Sequence, residues 1–254
     1  EHTMTTASTS VRIAARSVHR NMSVGLAQTP REILEAQKLR YSVFAGELGA
    51  RLRTRIPQVD QDTFDPYCEH LVVRDENTGA VVGTYRILSP AQAVKIGGYY
   101  SEGEFDLTRL QHLRPRMVEI GRSCVHADYR SGATITLLWA GLARYMLQHR
   151  YDYLIGCASM SMADGGHAAA SVYRGLHEHM SPLEYRVFPR CRLSLEALDQ
   201  DLPATLPPLI KGYLRAGAWV CGDPAWDRDF NTADLPLLMP IARLDSRYAK
   251  HFLG

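Results

Sequence analysis

Val118-Glu119-Ile120-Gly121-Arg122-Ser123-Cys124-Val125-His126 is the stretch on which the reading of this chain turns. With Met117 in front of it, the run is apolar and β-rich and predicts a central strand over Met117–Val125. Glu119 stands in that strand as a carboxylate among apolar neighbours. Gly121 permits a bulge or the close approach of a ligand. Arg122 lies three residues beyond Glu119, so on an unbroken strand the two side chains point to opposite faces. A bulge at Gly121 brings both to one cleft. The alternative is a structural Glu119–Arg122 ion pair.

On the N-terminal side, Thr29-Pro30-Arg31-Glu32 announces a helix running to about Leu48: Thr29 caps, Pro30 suits the first turn and Glu32 completes a capping box. Ile33, Arg40 and Phe44 then share a face. Residues 49–68 read as a polar loop rich in Arg and Asp. His70–Val73 and Val81–Leu88 flank the turn signal Asp75-Glu76-Asn77-Thr78-Gly79, which predicts a hairpin. Residues 1–25 read as a flexible lead-in and 89–115 as irregular.

On the C-terminal side, apolar spacing predicts a helix over Thr134–Gln148, a strand over Tyr151–Ser159 and helices over Ser171–His179 and Leu206–Gly217. The last strands fall at Trp219–Cys221 and Leu235–Ile241. This order predicts one α/β domain over residues 26–254 with a mixed sheet.

Of 254 residues, 46% are hydrophobic and 22% charged, an ordinary globular balance with no apolar run of spanning length. The N-terminus is polar and gives no secretory signal. A net charge of +2 does not call for nucleic acid, and no aromatic residues interleave with a basic stripe. Arginines cluster at Arg51, Arg53 and Arg55 and at Arg109, Arg114 and Arg116, either as solvated faces or as docking patches for an acidic partner. Five cysteines without a C-x-x-C pair read as reduced thiols of a cytoplasmic protein. His177-x-His179 diverges on a helix, so no metal site is expected.

Beyond the central strand, several segments recur in a known order: Arg40-x-x-x-Phe44, Asp62-Thr63-Phe64-Asp65, Arg86 late in a strand, then Glu119-x-x-Arg122. In this the chain resembles acyl-homoserine-lactone synthases. It is more similar still to the ornithine–acyl carrier protein N-acyltransferases that make lyso-ornithine lipid, through Leu39–Phe44, Glu119–His126, Gly132–Ile135, Leu137–Trp139, Gly212–Ala218 and Phe230–Asp234. The resemblance implies an N-acetyltransferase-like fold, a mostly antiparallel mixed sheet flanked by helices. It implies transfer of a 3-hydroxyacyl group from acyl carrier protein to the α-amine of ornithine.

Such chemistry needs a base for the ammonium, a fixed donor for the oxyanion and a cationic clamp for the acceptor carboxylate. The resemblance makes Glu119 the general base, supported by Arg122. Arg40, Asp62, Asp65 and Arg86 shape the acceptor side, and Phe44 packs the entrance. For Asp62 and Asp65 the residues alone also allow plain loop capping, and for Phe44 plain core. Gly121, Ser123, Val125, Arg130, Gly132, Ala133 and Thr134 fall to the donor side. Arg130-Ser131-Gly132-Ala133-Thr134 departs from the R/Q-x-x-G-x-G/A pyrophosphate turn of coenzyme A enzymes: its glycine is single and out of step. A 4′-phosphopantetheine arm carries one phosphate and needs less, so acyl carrier protein is the expected donor and no tightly bound cofactor is expected. A lipid product adds the expectation of peripheral contact at the inner face of the cytoplasmic membrane. Other acceptors (glutamine, lysine, a homoserine-lactone precursor) and a non-catalytic binding module are the alternatives. Glu119 argues against the module, and the long region 191–254 argues against a plain lactone synthase.

Overall fold

The computed structural model describes residues 13–17 and 20–244. In chain order it contains β1 (Ile13–Ser17), β2 (Arg20–Leu26), α1 (Pro30–Tyr41), β3 (Glu69–Asp75), β4 (Val81–Leu88), α2 (Pro90–Ile96), β5 (Phe105–Asp106) and β6 (Met117–Val125). There follow α3 (Ala133–His149), β7 (Tyr153–Ser161), α4 (His167–Arg174), β8 (Phe188–Pro189), α5 (Pro208–Ala216), β9 (Trp219–Val220), β10 (Ala225–Asp227) and β11 (Thr232–Pro240).

One sheet runs in the order β1-β2-β3-β4-β6-β7-β11-β10, with β9 also on β11. Its strand pairs are antiparallel except β6–β7, which the α3 crossover makes parallel. The sheet is therefore mixed and mostly antiparallel, as the sequence implies. Every residue of β4 is buried, as a central strand covered on both faces requires. α3 covers one face, burying Leu138, Leu142 and Met146 against Val24, Leu71 and Tyr85. α1 covers the other through Ala36 and Leu39, joined by Val43 just beyond its end. The turns around α2 cover its continuation through Leu110 and Phe105.

The differences from the sequence reading have local causes. Residues 13–17 and 20–26 are strands rather than a flexible lead-in, because Met22 and Val24 alternate inward onto α3; residues 1–12 lie outside the described part. Region 89–115 is not irregular: Ser89 Oγ accepts from Gln92 N and Pro90 opens α2, after which 3₁₀ turns cover Tyr100–Gly103 and Thr108–Arg116. α4 starts earlier than expected because Asp164 takes the amides of Gly166 and Ala168. α1 is capped by Thr29 as expected, but at Ser42 it widens into a π-type turn through Glu47. That turn carries Phe44.

The feature that positions the site is a wedge between β6 and β7. Their pairing covers only Met117–Tyr153, Val118–Leu154 and Glu119–Ile155, yet β6 continues to Val125 and β7 to Ser161. Gly156 stands where they part, and a Cβ there would come 2.8 Å from Ile120 O.

Candidate active site

Opposite the wedge, β6 carries an irregularity on its β4 side. Thr84 pairs with Cys124 and Arg86 with Gly121, so Arg122 and Ser123 together oppose Tyr85 alone. This is a bulge one residue beyond the Gly121 position that the sequence suggested, with Arg122 itself in the left-handed region at φ 51°. The extra residue turns Arg122 toward the α1–α2 face, which Glu119 already occupies. The two side chains do not pair with each other. Arg122 is held by Asp60 (Nε–Oδ2 3.0 Å), Asp62 (Nη2–Oδ2 3.3 Å) and the Tyr100 hydroxyl (3.4 Å).

Arg122 is thus one of three arginines interleaved with three aspartates. Arg40 donates to Asp60 (2.8 Å) and twice to Asp65 (2.6 and 3.1 Å); Arg86 Nη1 donates to Asp62 (2.7 Å) and lies 3.6 Å from Asp65. Asp62 also caps its own loop through the amides of Phe64 and Asp65, so capping and ion pairing hold together. Burial opposes the charge on Asp65, but the hydrogen bonds and charge of Arg40 outweigh it and hold the carboxyl far below the usual range. Arg40 is 0% exposed and is not on the cavity wall. It acts beneath the site, fixing the aspartates that aim the other two arginines. Arg86 and Arg122 reach the wall, and both guanidiniums lie against the Tyr100 ring at 5.4 and 5.2 Å. Arg122 commits all three nitrogens to protein partners. Among the described residues Arg86 hydrogen-bonds through Nη1 alone, so Nε and Nη2 keep donors for a ligand.

Glu119 is buried and reaches the same cavity. Its Oε1 accepts from Tyr100 N (2.7 Å); its Oε2 accepts from Ser101 N (2.8 Å) and Ser101 Oγ (2.5 Å). Burial raises its pKa, and the Ser101 and Tyr100 donors partly offset that. A carboxylate offers about four lone-pair sites, so one remains on Oε1 for a proton. Glu119 therefore also pins the turn Tyr100–Gly103, which sequence reasoning left unassigned.

The cavity has a volume of about 350 Å³ and passes through the sheet at the wedge. On the α1–α2 face its wall is polar and aromatic: Phe44, Arg86, Tyr100, Glu119, Arg122 and Phe230. Phe44 meets Phe230 edge to face at 5.7 Å on the cavity wall and also packs against the core beneath α1. On the α3 face the wall is apolar, with Trp139, Leu142, Met146, Gly212, Tyr213 and Met239. Between the two ends lie Gly121 and Ser123 of the bulge and Gly156 to Ser159 of β7.

The other donor-side residues of the sequence reading lie off this wall. Val125 and Arg130 sit beyond the bulge, where Arg130 pairs with Glu47 and donates to Val125 O. Gly132 caps α3 and leaves its N-terminus without a side-chain cap, beside Ala133. Thr134 is buried, its methyl 2.7 Å from where a Gly83 Cβ would stand, so its side chain packs α3 onto β4 instead of meeting a phosphate. Sequence reasoning also missed Asp60, Glu104 and Asp227. Asp60 sits two residues before an aspartate already singled out, but Glu104 and Asp227 carry no motif and reach the cavity only through the fold. Burial pushes the thiols of Cys68 and Cys124 up to about 12 and that of Cys157 well above its usual value, which disfavours a thiolate at these three positions.

The fold is shared with known structures. Residues 39–140 match the acetyltransferase (GNAT) domain family. The acyl-homoserine-lactone synthase LasI superposes with a TM-score of 0.52 at 17% identity, covering 87% of this chain and 91% of LasI. FeeM, an N-acyl amino acid synthase from uncultured soil microbes, gives 0.52 at 12%, covering 89% and 95%. At that identity these likenesses concern the fold. The sequence relatives are nearer. An L-ornithine N(alpha)-acyltransferase of Brucella abortus (strain 2308) is 37% identical over 251 residues, 91% of this chain and 89% of that one. One of Rhodobacter capsulatus is 37% identical over 244 residues, 90% and 93%. With that identity held along nearly the whole of both chains, this protein belongs to the L-ornithine N(alpha)-acyltransferase family.

Proposed function

We propose that this protein transfers a 3-hydroxyacyl group from acyl carrier protein to the α-amine of L-ornithine. The observation that carries this reading is the cavity through the wedge, apolar at one end and charged at the other, with Glu119 and the bulge between. The apolar end suits the acyl chain. The bulge frees β6 backbone from its ladder at Arg122 and Ser123, where an N–H can hold the thioester oxygen. Arg86 takes the acceptor carboxylate on the open part of its fork.

The chemistry then follows. Glu119 removes a proton from the α-ammonium, the freed amine attacks the thioester carbon, and the N–C bond forms as negative charge moves to the oxygen. Collapse breaks the C–S bond; the proton held at Glu119 passes to the leaving thiolate, and the second proton of the attacking nitrogen is lost through Glu119 to solvent, leaving a neutral amide and a free thiol. The uncapped N-terminus of α3 beside the wedge suits the single phosphate of a pantetheine arm. Arg51, Arg53 and Arg55 are exposed on the loop that leaves the cavity wall after Leu48, and they suit an acidic carrier protein. Exposed Leu48 and Ile56 on that loop suit peripheral contact with an anionic lipid surface as product leaves. No helix among the described residues is long and apolar enough to cross a membrane.

The test is to incubate the protein with 3-hydroxyacyl carrier protein and a panel of amino acids and to weigh the products. Acyl-ornithine as the dominant product supports the reading. Acyl-glutamine, acyl-lysine or a lactone in its place would move the assignment to another acceptor, and no product at all would remove it.

A further inference from the structure

The charged end of the cavity holds three carboxylates that the reaction above does not use. Glu104 precedes β5, Asp227 ends β10 and Asp234 lies in β11, yet one oxygen of each falls within 4.8 Å of the other two. All three line the cavity. None forms a salt bridge among the described residues. Asp227 spends Oδ1 on the amides of Asp229 and Phe230, and Asp234 spends Oδ1 on the hydroxyls of Ser159 and Thr232. Glu104 Oε2 is buried without any hydrogen-bond partner. Burial and the neighbouring Asp234 and Asp227 push Glu104 up to about 10, as expected of a carboxyl that lacks a counter-charge.

We propose that Glu104, Asp227 and Asp234 form the subsite for the side-chain ammonium of a diamino-acid acceptor. This rests on the reading that ornithine is the acceptor. An ammonium has three N–H donors and no acceptor, one for each of the three carboxyl groups, which in the ligand-free protein lie within hydrogen-bonding reach of one another. Acceptors about 2.9 Å from a tetrahedral nitrogen stand about 4.7 Å apart, so one ammonium can reach all three. A magnesium or calcium ion would need six or more oxygen ligands, of which three carboxylates supply only part, and the adjoining wall is aromatic. The cluster and Arg86 line one cavity. Tyr100 touches both cavity arginines, the Phe230 ring lies 4.6 Å under Arg122, and the Phe230 amide binds Asp227. Tyr100 and Phe230 thus connect the arginine-lined wall to the carboxylate cluster. The cluster acts on selection of the acceptor, leaving bond making to Glu119 and the bulge.

The experiment compares kcat/KM for L-ornithine and for L-norvaline, which has the same carbon chain without the terminal amine, using 3-hydroxyacyl carrier protein as donor. Wild type, Glu104→Gln and Asp234→Asn are measured; Asn at 234 keeps the acceptor oxygen for Ser159 and Thr232. Wild type should prefer ornithine by roughly 30-fold or more, as expected for a buried charge pair left half-made. Each variant should cut that preference by about tenfold or more, the effect of removing one partner from a buried ion pair, and mainly through the KM for ornithine. Equal use of both amino acids by wild type, or a preference kept by both variants, would overturn the subsite alone. Loss of activity on chelation, restored by magnesium or manganese, would overturn it in favour of a metal site. Failure of wild type to acylate ornithine at all would overturn the parent reading as well.

Discussion

At the scale of the residue, the proposed mechanism gives Glu119 a second task beside holding the Tyr100–Gly103 turn, and the two separate experimentally. As base it must be ionised, and burial raises its pKa, so kcat/KM should climb with pH through that raised value and then level. Glu119→Gln should lower kcat by about 10²–10⁴-fold and erase that climb. The same change replaces an acceptor by an NH₂ facing the Tyr100 or Ser101 donors, so melting temperature should also fall. A folded variant with wild-type turnover would remove the base assignment. Arg86→Lys keeps the charge and loses the fork. It should raise the KM for ornithine several-fold while the donor KM moves far less, measured by varying each substrate in turn. A change in donor KM instead would put Arg86 on the pantetheine side. Glu104 offers the opposite sign for stability. A carboxyl whose folded pKa is raised binds its proton more tightly when folded, so it costs stability as pH rises from the unfolded value near 4.3 toward about 10. Glu104→Gln should therefore raise the melting temperature of the ligand-free protein at pH 8 by about 2 °C or more, a difference that shrinks near pH 4. Calorimetry at both pH values decides it.

At the scale of the element, two irregularities build the site: the bulge in β6 and the early end of the β6–β7 pairing. The first was half legible: Glu119-x-x-Arg122 around Gly121 demanded a break in the two-residue period if both side chains were to share a face. The break falls at Arg122, a residue with no special liking for the left-handed region, held there by Asp60 and Asp62 from a distant loop. No local pattern encodes that. The wedge was not legible, since Gly156 reads as one more glycine in a strand until Ile120 is known to lie against it. Helices with strong caps were read within a few residues, as at Thr29. The Ser89-Pro90 start of α2 carried the same kind of signal amid a run otherwise poor in apolar periodicity. Much of the site was visible because single charged residues in apolar strands, Arg86 and Glu119, advertise themselves. Glu104 and Asp227 did not, because each sits in a polar stretch and becomes meaningful only when β5, β10 and β11 converge.

At the scale of the whole molecule, the proposed reaction places the acyl chain at the apolar end of the cavity, on the α3 face, and the amino acid at the charged end, on the α1–α2 face. The two arginine clusters are not equivalent. Arg114 pairs with Glu102, Arg116 with Asp152 at 2.6 Å, and Arg109 donates to Leu183 O, so that cluster serves its own fold. Arg51, Arg53 and Arg55 remain exposed near the cavity and are the docking candidates. Replacing all three by Ala should raise the KM for acyl carrier protein about tenfold or more and leave that for ornithine nearly unchanged. The wild-type reaction should weaken as salt rises, because exposed charges are screened within about 8–10 Å. Equal efficiency with acyl-coenzyme A and no salt effect would contradict the choice of donor.

Acylation of ornithine at its α-amine across this cavity is tested most directly by a reaction of 3-hydroxyacyl carrier protein with ornithine labelled with ¹⁵N at the α position. Consumption of the thioester should be matched by a ¹⁵N-labelled amide in the nuclear magnetic resonance spectrum of the product, with the side-chain amine left free. Thioester consumed without a labelled amide, or acylation at the side-chain nitrogen, would contradict that assignment.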